Sequence, residues 1–245
     1  MSTDLVQGAV DAATAVGNFL LPLADISVAS AEGKDIKLHA DKESEKILIA
    51  KLQPTGIPIL SEESAESCQW QSGLRWIIDP IDGSYNFFKG LRDLCCVSVA
   101  LWEDSTPRLG VIYRFAKGDL YIGIPGTGAT LNGQAIYSSQ VTEIGQACLA
   151  TGFPVRTDFS DAALQERFRL FRRFKKIRML GSATLMCAFV GQGCVDVYSE
   201  KGIMLWDIAA ALAIVEAAGG VYECEFLDNY ECNVIAYGNK ALQKK

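Results

Sequence analysis

The sequence predicts an α+β lobe followed by an α/β lobe, on three observations. In the first half, apolar runs come mostly as consecutive strands after two helices. In the second half, short apolar strands alternate with helical patterns. The chain is 49% hydrophobic and 21% charged, a balance that supports a sizeable core. Its 245 residues fit one large domain or two modest ones. No internal repeat or low-complexity linker divides it, so residues 1–245 are expected to fold as one unit, with lobes of about 1–140 and 141–245.

Residues 3–22 read as an amphipathic helix ending near Pro22, because Gln7, Asp11 and Asn18 interrupt the apolar positions. No basic segment opens it, which argues against a secretion leader. Ser27 to Lys37, with Gly33, reads as a mobile loop. A helical pattern runs from Asp41 to Ala50, with Asp41 suited to be its N-cap, and Pro54-Thr55-Gly56 ends it. Ile57 to Leu60 is a short strand that delivers Glu62 and Glu63. Leu74 to Ile78 is a buried strand that Pro80 is expected to stop, since proline cannot donate to a ladder. Strands follow at 94–102, 108–115 and 119–124, with a hairpin at Gly118-Asp119 and a turn-rich stretch from Gly126 to Gly133. The second half reads as strands at 147–151, 177–180 and 196–198, helices at 159–174, 182–190 and 206–218, and short strands at 221–222 and 234–235.

The net charge of −6 argues against a nucleic-acid scaffold and suits a protein that handles cations. No apolar run is long enough to span a bilayer, so neither a membrane nor a nucleic-acid partner is expected. The eight cysteines include no CxxC pair, and Cys95, Cys96, Cys148 and Cys187 lie in apolar elements. With His39 as the single histidine, reduced buried thiols in a cytoplasmic protein are the better reading than zinc or disulfides.

The chemistry gathers in Trp76-Ile77-Ile78-Asp79-Pro80-Ile81-Asp82-Gly83-Ser84-Tyr85-Asn86-Phe87. Asp79 and Asp82 sit close at a strand end, with the Ile81 carbonyl between them. Two acids held that close repel, and a hard divalent cation offsets the repulsion; alone, a capping Asp-Pro turn explains them about as well. Glu62 and Asp207 also fall at element ends, with Asp41 a further candidate, and such ends assemble on one edge of a sheet. A set of oxygen ligands without His or Cys suits Mg²⁺. Such ions can clamp a phosphate ester and acidify a water for attack on phosphorus. The Ser84 hydroxyl can position that water, though an ordinary turn serine reads the same.

These residues resemble the inositol monophosphatase family. WIIDPIDGSYNF is similar to its metal-binding signature, and Trp206-Asp207-Ile208-Ala209-Ala210 running into Glu216-Ala217-Ala218-Gly219-Gly220 is similar to its second signature. Ser61-Glu62-Glu63-Ser64 matches its G-E-E-S element except at Ser61. The resemblance covers residues 4–237 and implies a layered αβαβα sandwich of the sugar-phosphatase type. It implies a Mg²⁺-dependent, lithium-sensitive phosphomonoesterase, acting as a homodimer on an inositol phosphate or a related sugar or polyol phosphate. Glu62, Asp79 and the Ile81 carbonyl would hold a first metal, Asp79, Asp82 and Asp207 a second, and Glu62 with Asp41 a third. Ser84, paired with Asp41, would activate water, with Glu62 as a further catalytic group. The Gly83 and Ser84 amides would bind phosphate, and Gly181, Ser182 and Ala183 would approach the substrate ring. Glu200 would accept hydrogen bonds from vicinal hydroxyls, with Asp82 and Asp207 also at the substrate.

Two departures stand out. Leu38 replaces a threonine of the family's first acidic element, and Tyr85-Asn86-Phe87 stands where bisphosphate nucleotidases carry K-E-F. Fructose-1,6-bisphosphatase, histidinol-phosphate phosphatase and 3′-phosphoadenosine 5′-phosphate phosphatase remain alternatives, as does a non-catalytic regulatory module on the same fold. The basic segment from Arg167 to Arg178 reads as a solvated helix face, with Arg156 or Arg172 able to reach a second phosphate or a partner subunit's site.

Overall fold

The computed structural model describes residues 2–23, 26–32, 35–67 and 72–244, and the side chains of these apart from 31–37, 66 and 67. Gly33 and Cys68 lie outside the described residues. In chain order the elements are α1 (Thr3–Leu20), β1 (Val28–Glu32), β2 (Asp35–Leu38), α2 (His39–Leu52), β3 (Ile59–Ser61), β4 (Leu74–Asp82), α3 (Ser84–Phe88), β5 (Cys96–Glu103), β6 (Thr106–Arg114), β7 (Asp119–Ile124), β8 (Gly128–Leu131) and β9 (Gln134–Ile136). The second half continues with β10 (Cys148–Ala150), α4 (Asp161–Phe171), β11 (Lys176–Arg178), α5 (Ala183–Gly191), β12 (Val197–Met204), α6 (Ala209–Ala217), β13 (Val221–Phe226), β14 (Glu231–Tyr237) and α7 (Lys240–Gln243).

These elements stack in five layers, the αβαβα sandwich that the resemblance implies. Helices α1 and α2 cover one face of a seven-stranded sheet of order β3-β4-β5-β6-β7-β8-β9. Helices α5 and α6 fill the space between it and a five-stranded sheet of order β11-β10-β12-β14-β13. Leu170 and Phe171 of α4 and Leu242 of α7 pack on the outer face of that second sheet, against Leu149 and Val197.

The period-two rule shows why β4 and β5 read as unbroken apolar runs. Trp76, Ile78, Val97, Val99 and Leu101 point into the cluster under α1 and α2. Ile77, Cys96, Ala100 and Trp102 point the other way, onto α5 and α6. A strand covered on both faces has no polar side to alternate. Glycine lets α6 approach that sheet. A Cβ at Gly110 would lie 2.0 Å from the Ala210 carbonyl oxygen, and one at Gly123 would lie 2.5 Å from the Ile214 Cα. The Trp102 indole donates to the Ala209 carbonyl at 3.1 Å, fixing the start of α6 over the strand ends.

Several sequence expectations are corrected. β4 does not stop before Pro80; it runs to Asp82, because its pairing with β5 shifts between Asp79 and Asp82 and proline is tolerated at such a bulge. Val28–Glu32 and Asp35–Leu38, expected as a loop, pair antiparallel. Asp41 is not the N-cap of α2, which begins at His39; it lies in the first turn, where its carboxylate accepts from the Leu38 N–H at 2.6 Å. The turn-rich stretch 126–133 also contains a strand, β8, while the tight turn expected at Leu131-Asn132-Gly133 is present and joins β8 to β9. The strand expected at 196–198 extends to Met204, so Glu200 sits within a strand rather than at its end. Seven described cysteines are free. No described helix is long and apolar enough to cross a membrane.

Candidate active site

The ends of β3, β4 and β12 and the N-terminal ends of α5 and α6 converge on a cavity of about 850 Å³. Glu62 follows directly on β3, Asp79 and Asp82 close β4, and Asp207 ends the 3-10 turn before α6. Glu62, Asp79 and Asp207 each bring a carboxylate oxygen within 4.8 Å of the other two. That spacing lets a single cation reach all three.

The electrostatics of Asp79 follow from its place. It is 1% exposed, and its Oδ1 accepts the Ile81 N–H at 3.0 Å. Burial pushes its carboxyl well above the ordinary range, and the charges of Glu62, Asp82 and Asp207 push it further. Asp207 is raised in the same way, first by burial, then by Glu62, Asp82 and Glu200, with a backbone donor at Met204 opposing. The leading charges around both acids are carboxylates, so like-charge repulsion adds to desolvation.

Asp82 is held differently. Its Oδ2 accepts the Thr184 N–H at 3.1 Å and the Ser182 hydroxyl, with the Cys96 thiol at 3.8 Å. Ser182 is the N-cap of α5, and its Oγ accepts from the Leu185 N–H at 3.2 Å. The carboxylate therefore sits on a helix N-terminus, where unpaired amides favour negative charge. Burial raises Asp82 to about 6, while these donors hold it down.

Past Asp82 the backbone turns through Gly83 at φ 88°. A Cβ there would lie 2.9 Å from the Leu94 carbonyl oxygen and 3.3 Å from that of Gly181. Only glycine suits both the conformation and the crowding. The turn aims the Ser84 hydroxyl at the Asp41 Oδ1, 3.0 Å away, and at the Ile81 carbonyl, 2.9 Å away. One hydroxyl proton serves one of these acceptors at a time.

Glu200 lies across the cavity on β12, 4% exposed. Burial pushes it up to about 8, helped by Asp82 and opposed by Arg167. Gly152 makes room for it, since a Cβ there would lie 2.7 Å from Glu200 Oε1.

Glu62, Asp79, Ile81, Asp82, Gly83, Ser84, Gly181, Ser182, Ala183, Glu200 and Asp207 all line the cavity, whereas Asp41 stands behind Ser84. Arg156 lines it too and pairs with Glu231. Arg172 does not line it. Sequence reasoning missed Thr184, which donates its N–H to Asp82 and its hydroxyl to the Asp207 carbonyl at 2.6 Å. A polar residue in the apolar run Ala183-Thr184-Leu185-Met186 was the available signal. Asn86 was also missed as a structural partner of the site.

The five-layered fold thus carries an acid-lined cavity where strand ends converge. The chain belongs to the inositol monophosphatase family, whose sequence profile matches residues 1–240. It is 34% identical over 224 residues to a Xylella fastidiosa protein named "Nus factor SuhB", covering 89% of this chain and 80% of that one. It is 36% identical over 191 residues to the "Fructose-1,6-bisphosphatase/inositol-1-monophosphatase" of Thermotoga maritima, covering 77% and 71%. The structure of the extragenic suppressor protein suhB from Bartonella henselae superposes with a TM-score of 0.86 at 27% identity, covering 99% and 96%.

Proposed function

We propose that this member of the phosphatase family is a Mg²⁺-dependent phosphomonoesterase that hydrolyses an inositol phosphate or a related sugar or polyol phosphate. The observation that carries the reading is the convergence of Glu62, Asp79 and Asp207 within 4.8 Å, in surroundings that penalise the charge of Asp79 and Asp207.

The donor set fits a hard divalent cation. It offers carboxylate oxygens, to which the Ile81 carbonyl adds, and its buried like charges call for a positive counter-charge. Glu62, Asp79 and the Ile81 carbonyl would hold one ion; Asp79, Asp82 through its second oxygen, and Asp207 another; Glu62 with Asp41 a third. Bound there, Mg²⁺ supplies the Lewis acidity that polarises a phosphate ester and acidifies water. Ser84 Oγ, which already donates to Asp41 Oδ1, can orient the attacking water and pass a proton toward that carboxylate. Glu62 would orient the same water from the other side. The Gly83 and Ser84 amides would hold the phosphate at the start of the turn.

On the leaving-group side, Gly181, Ser182 and Ala183 would border the ring, and Glu200 would bind its vicinal hydroxyls. A carboxylate buried in the cavity wall can accept hydrogen bonds from two adjacent hydroxyls at once. This favours a polyol over a simple alkyl ester.

The deciding experiment is phosphate release from a panel at fixed Mg²⁺: inositol 1-phosphate, fructose 1,6-bisphosphate, histidinol phosphate and 3′-phosphoadenosine 5′-phosphate. Inositol phosphate is expected to lead, with inhibition by Li⁺, on a homodimer measurable by light scattering. The Thermotoga relative's name keeps fructose 1,6-bisphosphate as the nearest alternative. The Xylella relative's name favours a second reading, a regulatory protein on the same fold. No hydrolysis across the panel, with a stable macromolecular complex in pull-downs, would select it.

A further inference from the structure

We infer that Asn86 is a positioning residue that holds the two sides of the catalytic cavity at working distance. The two sides come from opposite halves of the chain. One is the turn from Asp82 to Ser84; the other is the Leu180–Ala183 approach to α5. Asn86 lies in α3 and is 8% exposed. Its amide nitrogen donates to the Leu94 carbonyl at 3.0 Å and to the Leu180 carbonyl at 2.8 Å. A primary amide nitrogen has two N–H donors and a carbonyl only accepts, so these partners use both donors and settle the orientation of the amide.

Asn86 packs closely against Gly181. Gly181, at φ 74°, has Asn86 Nδ2 and Oδ1 both 3.0 Å from where a Cβ would stand. The Leu94 and Gly181 carbonyl oxygens crowd the Cβ position of Gly83 at 2.9 and 3.3 Å. Asn86, Gly83 and Gly181 thus interlock, and Asn86 supplies the polar link across a sequence separation of 94 residues. One residue past Gly181, Ser182 donates to Asp82. Loss of the Asn86 link therefore leaves only the bonds that Asp82 accepts from Ser182 and Thr184 to hold the gap. Asn86 is absent from the cavity lining, so its effect on the reaction runs through the backbone it ties.

The inference rests on the proposed phosphatase reading, and the test separates the two. Asn86→Ala and Asn86→Asp are compared with the wild type for phosphate release per folded molecule, melting temperature, and hydrogen exchange at the backbone amides of Ser84, Gly181 and Ser182. Misplacement of about 1 Å can cost on the order of 100-fold in turnover. Asn86→Ala is expected to lower kcat by about 30- to 100-fold, with KM changed less than threefold. Exchange should rise together in both segments while the amides of β5 keep their protection. Asn86→Asp removes both donors and sets a carboxylate against two carbonyls, so it should be the worse of the two. Should Asn86→Ala fail to fold, Asn86→Ser, which keeps one donor, reads the same quantities at a smaller effect. A lower melting temperature with unchanged kcat and exchange confined to α3 overturns the inference. A wild type inactive on the whole panel sinks the phosphatase reading, while joint exchange in the two segments still tests the link.

Discussion

Asp79 and Asp82 stand three residues apart on one strand and burial raises both, yet their polar surroundings differ. Asp79 faces Glu62 and Asp207, so burial and like charge act together on it. Asp82 meets the Ser182 hydroxyl and the first amides of α5, and these donors offset much of its burial. One carboxylate is left in want of a cation; the other is already partly compensated by the fold. An acidic cluster can thus be assembled without every acid in it being penalised equally.

The largest break in this comparison comes from neutralising the uncompensated acid. Asp79→Asn is expected to lower phosphate release by on the order of 10³-fold or more at saturating Mg²⁺, in line with losing a main electrostatic element of a site. Appreciable residual turnover in a folded variant would count decisively against the metal role. Ser84→Ala should follow with a loss on the order of 10²-fold, the scale of a positioned proton-transfer group, read as kcat with circular dichroism unchanged.

The stabilities of the same variants sharpen the contrast. In EDTA, Asp79→Asn should raise the melting temperature, because it removes a buried charge from a cluster of like charges. Asp82→Asn should gain less, since the amide gives up charge-assisted bonds from Ser182 and Thr184. If Asp82→Asn gains as much as Asp79→Asn, the two acids are not distinguished in the way described.

The smallest effect is on pH dependence. Glu200 and Asp82 have folded-state values raised to about 8 and about 6, so the folded protein binds more protons than the unfolded chain between the ordinary carboxylate range and pH 8. Stability is then fully present below that range and is lost as pH rises through the folded values. The metal-free protein should melt at a progressively lower temperature from about pH 5 to pH 8. Glu200→Gln should flatten the upper part of that slope, from about pH 6 to pH 8, as scanning calorimetry in EDTA can check. A flat wild-type profile would contradict the assigned burial of these groups.

Much of the site was legible because its acids sit in short local patterns. Asp79, Pro80, Asp82 and Gly83 declare a turn and a charge pair within five residues, and Trp206-Asp207 stands just before an unmistakably apolar helix. The boundaries were less legible. Pro80 reads locally as a strand terminator, yet neighbouring β5 accommodates it by shifting register, and a single sequence carries no record of its partner strand. The antiparallel pairing of β1 with β2 was hidden for the same reason, since small and charged residues give little periodicity until two segments pair. Glu200 reads as a strand-end acid because Lys201 and Gly202 break the apolar run, while pairing with β14 carries the strand to Met204.

The sequence by itself determined which acids exist, where the turns fall and how the hydrophobic faces alternate, because these depend on neighbours a few residues away. Tertiary structure alone decided that Glu62, Asp79 and Asp207 share one point, that Asp82 rests on α5, and that Asn86 ties Leu94 to Leu180. Each of those results depends on a contact between residues distant in the chain. The energy of a carboxylate is set by what surrounds it in space, by burial, charge and available donors, and the order of residues does not record that.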